Sequence, residues 1–422
     1  MADMSERTLL VGYDLCDRKT QLAVFNRDTR EPELIGQTDE NPDALFDAVM
    51  EFDNGLQIKD FMSRIRRGEE LLAGGEAVPP VRVLAGFFRK TLSYTRQKYP
   101  SETIKQLVVT IPHQSVELIQ IIYDALDVLG IGRERALVIS HKQSYLYFAL
   151  SQKAELWVND VGMFDYSGER LTYYQIQVDR RKTPALAGVW ERDYSDAIEI
   201  AEGDEAKKDV VFENVVLGAI HRQVLSVLYM TGDGFEGGWA DDVFQRLCVG
   251  RRLFKGSNLY VSGACYAARE IGENAKLSDF ILLDEDMISC HLSVMVYADA
   301  RLQEQILAKA GTPWYQVDTQ IDLIPDGETD LAILAKNVFT GEEKEYRVEL
   351  EPISGKADRH CRLAVRLRFS DIHTCIVTVK DKGFGNLFPT SNRIWEKTIR
   401  LENNGAGGKA EAGHTAYERR EK

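Results

Sequence analysis

The sequence predicts an α/β protein followed by an antiparallel β domain. Short apolar strands alternate with amphipathic helices up to about residue 279. Residues 107–111 form a continuous apolar run closed by Pro112, as expected of a strand that is buried on both faces of an α/β sheet. From about residue 281 to residue 401 the helical period gives way to alternating strands. Turn residues separate those strands at Asp326-Gly327, Thr340-Gly341 and Lys382-Gly383.

Length, charge and cysteine content narrow the class of protein. The 422 residues suffice for two to four domains, and the formal net charge of −14 disfavours a whole-chain electrostatic contact with nucleic acid or an anionic membrane. No apolar run approaches the roughly 20 residues that span a bilayer. The six cysteines include no CxxC pair and are expected to be reduced thiols. We therefore expect a cytoplasmic protein without nucleic-acid or membrane partners.

The first half is predicted to begin with a hairpin. Residues 8–14 read as a buried strand that ends in a turn, and residues 21–25 as its antiparallel partner. Two helices flank the strand at 107–111, and Gly130 is placed to end the second one. Their apolar stripes are Leu84, Phe87, Phe88 and Leu92, and Ile119, Ile122, Leu126 and Leu129.

The second half is predicted to repeat this layout. A strand at 161–165 has its hairpin partner at 171–178. An acidic loop at 199–208 is followed by a helix through about Leu225. A strand at 227–230 then runs into Thr231-Gly232-Asp233-Gly234, and two helices follow, one near 240–248 and one rich in small residues from Ser262.

Two predicted strands end in an aspartate, Asp14 and Asp165, before a turn into a second strand. Hairpins that present backbone N–H groups can hold phosphates, and carboxylates beside them can hold hydrated Mg²⁺. An aspartate after a strand is more often a turn or cap residue. The pattern becomes more specific through the order of the elements.

That order resembles the duplicated actin-like ATPase fold, which is ribonuclease H-like, and within it the seventy-kilodalton heat-shock chaperone family. The resemblance covers most of residues 8–401. It is carried by seven stretches, namely residues 11–15 at the first phosphate loop, 107–112, 164–168 at the second phosphate loop, 229–234 at the adenosine loop, 259–268, 280–284, and 363–369 with 377–383. The last, with its VxxKDKxxG pattern, is the most distinctive.

The resemblance implies a cleft that binds ATP or ADP with Mg²⁺. It implies catalytic roles for Asp14 and Asp165, which would also hold Mg²⁺ through water. His141 occupies the position of the family's catalytic Glu. The residues at the family's nucleotide-binding positions are Gly12, Asp14, Leu15, Cys16, Arg18, Asp165, Ser167, Gly168, Gly232, Asp233 and Gly234.

The chain departs from the family at these same positions. Cys16, Asp17 and Arg18 replace a glycine and two threonines, so an acid stands near the phosphates, although Arg18 could compensate. Tyr166 replaces a leucine, and Ser167 a glycine, in the second loop. A neutral His141 can orient water or act as a base, but the default expectation is loss of the metal-linked carboxylate.

Two peripheral features are also reduced. The lobe that holds the family's catalytic lysine is shortened, and neither Lys59 nor Arg64 can be aligned with that lysine. The lobe between Asp165 and Gly232, which holds much of the adenosine in the family, is shortened too. Both departures predict weaker or altered nucleotide binding.

The predicted organisation has four parts. Residues 1–279 form an actin-like domain with halves at about 1–158 and 159–279, and residues 287–402 form a β-sandwich of the substrate-binding type without a helical lid. Residues 403–422 are predicted to be a disordered tail. Residues 280–286 are an apolar interdomain linker that includes Ile281, Leu282, Leu283 and Asp284. Those residues either dock on the ATPase domain or form a strand within their own domain.

The leading functional hypothesis is a heat-shock-chaperone-like protein with a degenerate nucleotide cleft. It would bind ATP or ADP weakly or statically and engage a protein or peptide partner, such as a chaperone or co-chaperone. We do not expect an enzyme; if the protein is active, the reaction is ATP hydrolysis. The alternatives are an active ATP-driven peptide chaperone and a nucleotide-independent interaction scaffold.

Overall fold

A computed structural model describes residues 8–36, 45–200, 205–273, 275–327, 330–350 and 361–401. The predicted tail at 403–422 lies outside these residues. The chain divides into two compact units. The first comprises Met1–Asp179 and Glu191–Phe280, and the second comprises Arg180–Trp190 and Ile281–Lys422.

The elements are numbered in chain order. Those before residue 157 are β1 (Thr8–Leu15), β2 (Lys19–Asn26), β3 (Glu31–Leu34), β4 (Phe46–Asp47), β5 (Val49–Glu51), β6 (Gln57–Lys59), α1 (Phe61–Arg66), β7 (Leu72–Ala73), β8 (Glu76–Ala77), α2 (Pro80–Lys98), β9 (Thr103–Ile111), α3 (Val116–Val128), β10 (Ala136–Ser140) and α4 (His141–Ser151). Those from 160 to 272 are β11 (Asp160–Ser167), β12 (Arg170–Asp179), β13 (Ala185–Asp193), α5 (Ser195–Glu199), α6 (Glu205–Ala219), β14 (Leu225–Thr231), α7 (Asp241–Leu247), β15 (Arg252–Lys255) and α8 (Leu259–Gly272).

The remaining elements are strands. They are β16 (Phe280–Leu283), β17 (Cys290–Ala298), β18 (Arg301–Ala308), β19 (Asp318–Leu323), β20 (Asp330–Asn337), β21 (Glu343–Glu349), β22 (Leu363–Asp371), β23 (Thr374–Asp381) and β24 (Ile394–Arg400). The predicted fold class is therefore confirmed at the level of an α/β part followed by an antiparallel β part. None of the helices in the described ranges is long and apolar enough to cross a membrane.

The first unit contains a mixed sheet with the strand order β10-β9-β1-β2-β3, with β4 also pairing with β2. β1 is antiparallel to β2 and parallel to β9, and β9 is parallel to β10. Leu107, Val108 and Val109 on β9 are fully buried, as the apolar run predicts for a central strand. α3 ends beside Gly130, whose φ of +74° suits a glycine at this position.

A second sheet of the first unit repeats this arrangement in the order β15-β14-β11-β12. β11 is antiparallel to β12 and parallel to β14, and β14 is parallel to β15. The registers also correspond. Asp14 is paired with Thr110 on its parallel neighbour, and Asp165 is paired with Thr231 on its own parallel neighbour.

Two predicted boundaries in the first unit are wrong. The helix expected to reach about Leu225 ends at Ala219, and Leu225 begins β14 instead. Arg222 has a φ of +59°, a left-handed conformation that lies beyond the end of this helix and cannot continue it. The helix begins at Glu205, inside the stretch expected to be a loop.

The second unit is built from two four-stranded sheets, β18-β17-β20-β21 and β19-β22-β23-β24. The strands within each of these sheets pair antiparallel, and residues from both sheets contribute to one apolar core that includes Leu292, Ile333 and Val377. This arrangement agrees with the β-rich domain that the sequence predicts.

The residues of the predicted linker form β16. Ile281 and Leu283 are buried in a small cluster with Leu186, Met287 and Ala310. All five residues belong to the second unit. A strand is observed at the predicted linker, and its buried residues Ile281 and Leu283 pack against residues of the second unit.

Candidate functional site

The first site residue, Asp14, lies near the end of the central strand β1. Asp14 is only 8% exposed, and Leu15, the last residue of the strand, is fully buried. Gly12 lets α8 approach this strand, because a Cβ at that position would lie 2.4 Å from the backbone nitrogen of Cys265. The small-residue helix α8 therefore packs directly against the strand that carries Asp14.

His141 is brought to Asp14 by the start of α4. Ser140 caps this helix by accepting a hydrogen bond from the Gln143 N–H at 3.1 Å, and the Gln143 side chain completes a capping box. His141 is thus the first residue of the helix, with its Nε2 2.8 Å from Asp14 Oδ1. The carboxylate accepts this hydrogen bond.

Cys16 completes a group of three side chains at the turn after β1. Its Sγ lies 3.3 Å from Asp14 Oδ1 and 3.7 Å from His141 Nε2. One oxygen, one sulfur and one nitrogen therefore lie within 4.8 Å of one another. We call Asp14, Cys16 and His141 the three-residue cluster.

Asp165 is connected to this cluster through Tyr260. The Tyr260 hydroxyl donates to Asp165 Oδ2 at 2.5 Å, and Ser167 donates to Oδ1. The ring of Tyr260 stacks on the ring of His141, with centroids 3.7 Å apart and an interplanar angle of 14°. The two sequence-predicted aspartates and His141 are thus brought together, with Tyr260 between them.

Tyr260 is held by the close approach of α4 and α8. Ser144 on α4 donates a hydrogen bond to the Tyr260 carbonyl. Gly263 makes this approach possible, because a Cβ there would lie 2.0 Å from the Ser144 carbonyl oxygen. The small residues of α8 therefore serve helix packing.

Burial sets the protonation of the site. Burial raises the pKa of Asp165, and the hydrogen bonds from Ser167 and Tyr260 offset part of this increase. Burial, with the charge of Asp14, raises the pKa of the Cys16 thiol well above its usual value. The pKa of Tyr260 is likewise raised by burial and by the charge of Asp165. At neutral pH, Cys16 is a thiol and Tyr260 a phenol.

The predicted second loop is closed by an acid. The Gly168 N–H donates to Asp233 Oδ1 at 2.7 Å, so Asp233 occupies an amide that a phosphate would use. Gly232 has a φ of +103°, and a Cβ there would lie 2.2 Å from the Tyr166 carbonyl oxygen. A Cβ at Gly234 would overlap the Tyr166 ring. Both glycines therefore make room for Tyr166.

The predicted first loop is tied to α1. Arg66 donates to Asp17 Oδ2 at 2.6 Å, which neutralises the acid of this loop. Arg18 is exposed. Arg64, one of the two unaligned basic candidates, pairs with Glu69, and the other, Lys59, is exposed on β6.

Sequence reasoning missed Tyr260 and Arg66 as site residues. Tyr260 is a large aromatic residue among the small residues of α8, and this contrast is the feature of the sequence that could have identified it. Arg66 lies in a short basic stretch with Arg64 and Arg67, which by itself gives no indication of a site. No sequence spacing joins it to Asp17, which lies 49 positions away.

The two aspartates fit hydrated Mg²⁺ poorly. His141 donates to one carboxylate, and Tyr260 and Ser167 donate to the other. Mg²⁺ prefers oxygen ligands and keeps several of its waters, so it would have to replace these hydrogen bonds. The arrangement is instead two hydrogen-bonded groups, Asp14 with His141 and Asp165 with Tyr260, joined by the stacking of His141 on Tyr260, and it holds β1, α4, α8 and β11 together.

Two family matches cover most of the chain. Residues 47–285, more than half of the chain, match the family described as "Family of unknown function (DUF5716) C-terminal". This match contains His141, Asp165 and Tyr260 and begins after Asp14 and Cys16. Residues 287–401 match the domain described as "Domain of unknown function (DUF8552)". No curated protein matches the chain.

Proposed function

The chain belongs to the DUF5716 family, and we propose that it is a non-hydrolysing, heat-shock-chaperone-like binding protein. Its first unit would have the actin-like fold and bind ATP or ADP weakly or statically. Its second unit would engage a protein or peptide partner, such as a chaperone or co-chaperone. A cytoplasmic location remains part of the proposal.

The repeated sheet pattern supports the actin-like fold. The hairpins β1-β2 and β11-β12 each pair with a later parallel strand, which pairs in parallel with another strand. Asp14 and Asp165 sit at corresponding registers, each opposite a threonine on that neighbour. A duplication that places one aspartate in each half is what the resemblance implies.

The proposal that the protein does not hydrolyse ATP depends on one observation, which is the hydrogen bonding of the two aspartates. Asp14 accepts from His141, and Asp165 accepts from Tyr260. A carboxylate that is already bound by protein donors is poorly placed to hold hydrated Mg²⁺ or to orient an attacking water. This geometry disfavours the active-chaperone alternative.

Weak binding is supported by the second loop. Phosphate oxygens would have to compete with Asp233 for the Gly168 amide, and the Asp233 carboxylate would repel them. Removal of this carboxylate should strengthen nucleotide binding. A misfolded variant would bind nucleotide more weakly, so the two outcomes can be distinguished.

We therefore expect Asp233→Ala to bind ADP more tightly than the unaltered protein. The unaltered chain should bind ADP and ATP with a Kd of about 10 µM to 1 mM by calorimetry in the presence of Mg²⁺. Asp233→Ala should tighten binding by roughly three- to tenfold, because it frees one amide donor and removes one negative charge. Asp233→Asn separates the two effects, since the amide oxygen can still accept from Gly168.

The controls distinguish the alternatives. Asp14→Ala should weaken nucleotide binding, because it removes the hydrogen bond that holds His141 at the predicted cleft, whereas Asp127→Ala, at an exposed aspartate on α3, should leave it unchanged. The rate at which the unaltered protein releases phosphate from ATP should not exceed the rate measured for the Asp14→Ala variant. No binding at millimolar nucleotide would leave the interaction scaffold, and turnover that Asp14→Ala abolishes would establish an active ATPase.

A further inference from the structure

The three-residue cluster combines donors that magnesium does not select. Asp14 offers a carboxylate oxygen, Cys16 a sulfur and His141 an imidazole nitrogen, each from a different part of the local structure. Thiolate and imidazole ligands favour zinc and similar transition metals, whereas Mg²⁺ and Ca²⁺ favour oxygen. The chemistry of the donor set therefore points away from the metal that accompanies nucleotides.

The distances among the donor atoms suit one small ion. Zn²⁺ binds sulfur at about 2.3 Å and nitrogen or oxygen at about 2.0–2.2 Å, so tetrahedral ligand atoms lie roughly 3.2–3.7 Å apart. The sulfur is 3.3 Å from the carboxylate oxygen and 3.7 Å from the imidazole nitrogen. Only the nitrogen–oxygen pair, at 2.8 Å, must open by about half an ångström, because a hydrogen bond now joins these atoms.

The surroundings hold the ligands in place and supply negative charge. The capping box fixes the start of α4, and Tyr260 stacks on the His141 ring. Asp165 adds its charge to that of Asp14 around the sulfur. His141 is 8% exposed, while Cys16 is partly exposed, so an ion can reach the cluster from the Cys16 side.

We propose that Asp14, Cys16 and His141 bind one Zn²⁺ ion through carboxylate, thiolate and imidazole, with water in the fourth position. Binding displaces the thiol proton of Cys16 to solvent and breaks the hydrogen bond between His141 Nε2 and Asp14. The His141 proton must then reside on Nδ1, so that Nε2 can donate its electron pair to the metal. Three protein ligands and one water leave a position open to a further ligand.

This inference does not depend on nucleotide binding. The zinc site needs Cys16 and His141, whereas the nucleotide proposal is tested at Asp233. Zinc at Asp14 would exclude Mg²⁺ from the same carboxylate. The two proposals can therefore fail separately.

Cobalt substitution tests the site in the full chain. After dialysis against a chelator, Co²⁺ is added without nucleotide and the absorption spectrum is recorded. A thiolate-to-cobalt charge-transfer band and the visible bands of tetrahedral cobalt are expected, saturating at one ion per chain and abolished by one equivalent of Zn²⁺. We expect a zinc Kd of about 1 µM or tighter from this competition.

Matched cysteine variants locate the ligand. Cys16→Ser should abolish the charge-transfer band and weaken zinc binding by at least about tenfold. Cys248→Ser, at an exposed cysteine of the same unit, should change neither. His141→Gln should lose the tetrahedral bands, and far-ultraviolet circular dichroism should show all three variants folded. A band that is absent from the unaltered protein, or unchanged in Cys16→Ser, would overturn the proposal.

Discussion

Asp381 gives a physical reason for the most distinctive sequence pattern of the second unit. Its fully buried carboxylate accepts hydrogen bonds from the Gly383 N–H, from Ser391 and from the Cys361 thiol. Gly383 has a φ of +64°, and a Cβ there would lie 2.4 Å from the Thr390 nitrogen. The KDKxxG segment therefore closes a loop around a buried acid, which is a structural role.

The hydrogen bonds predict how acid affects the second unit. Burial alone would raise the pKa of Asp381, but the bonds from Ser391, Cys361 and Gly383 lower it from 3.8 to about 2. The lowered pKa stabilises the fold above about pH 4, and this contribution, about 2 kcal/mol, is lost as the pH falls towards 2. Asp381→Asn should remove that pH dependence and lower the free energy of unfolding by roughly 2–3 kcal/mol.

Urea unfolding between pH 2 and pH 7 measures both effects. Asp299→Asn is the matched control, because Asp299 is exposed and its φ of +53° suits asparagine. A stability curve for Asp381→Asn that parallels the curve of the unaltered protein would contradict the assigned role.

The residues of the candidate site were predictable to different degrees. Asp14, Asp165 and His141 follow from the order of strands and loops, which the resemblance supplied. The partner of Asp165, Tyr260, and the partner of Asp17, Arg66, did not follow, because they reach the site through packing between segments that are distant in the chain. The order of the elements therefore predicted acids that lie close to His141, and the sequence did not show which residues hydrogen-bond to them.

Among the elements, the β17-β18 hairpin carries an exposed row of apolar side chains, which Glu304 interrupts opposite Met295. Met295 and Tyr297 lie on one strand, and Leu302 and Ile306 lie on the other, with exposures of 47%, 75%, 66% and 41%. Tyr297 is directly opposite Leu302. β18 is at the edge of its sheet, where unpaired backbone groups can accept an added strand. The partner proposed for the second unit would be an extended apolar segment on this edge.

A charge on the edge strand should prevent that contact. Fluorescence anisotropy of a labelled, extended, leucine-rich peptide should rise on titration with the protein. Leu302→Glu should weaken binding by at least about tenfold, because it places an acid in the apolar row. Ile394→Glu changes a similarly exposed residue on the edge strand β24 and should have no effect. Equal affinities for the two variants would remove the hairpin as the binding element.

Element prediction succeeded where one physical signal dominated. The apolar run on β9 and the stripe on α2 specify a central strand and a half-buried helix, and both are observed. The end of α6 could not be predicted from the apolar pattern, because Leu225 belongs to a strand that pairs with β11. Pairing between distant segments decides such boundaries.

At the scale of the whole molecule, the chain does not divide at one point. Arg180–Trp190 belongs to the second unit although it lies within the predicted first domain. It contributes Leu186 to the cluster around Ile281 and Leu283. A prediction that assigns continuous segments to domains has no way to find such an exchange, because the signal lies in a contact between positions about 100 residues apart.

That cluster predicts where the second unit begins. A fragment of residues 280–401 should be more stable in urea than one of residues 287–401 by about 1–2 kcal/mol, because only the longer one can pack Ile281 and Leu283 against Met287 and Ala310, and Leu186 is absent from both. Ile281→Asp in the longer fragment should cancel most of the difference, whereas Leu282→Asp, on the same strand but less buried, should cancel little of it. Trp314 and Trp395, which pack against the core, report the transition. Equal stability of the two fragments would mean that residues 280–286 do not stabilise residues 287–401 by themselves, and that the second unit folds from 287, where its family match begins.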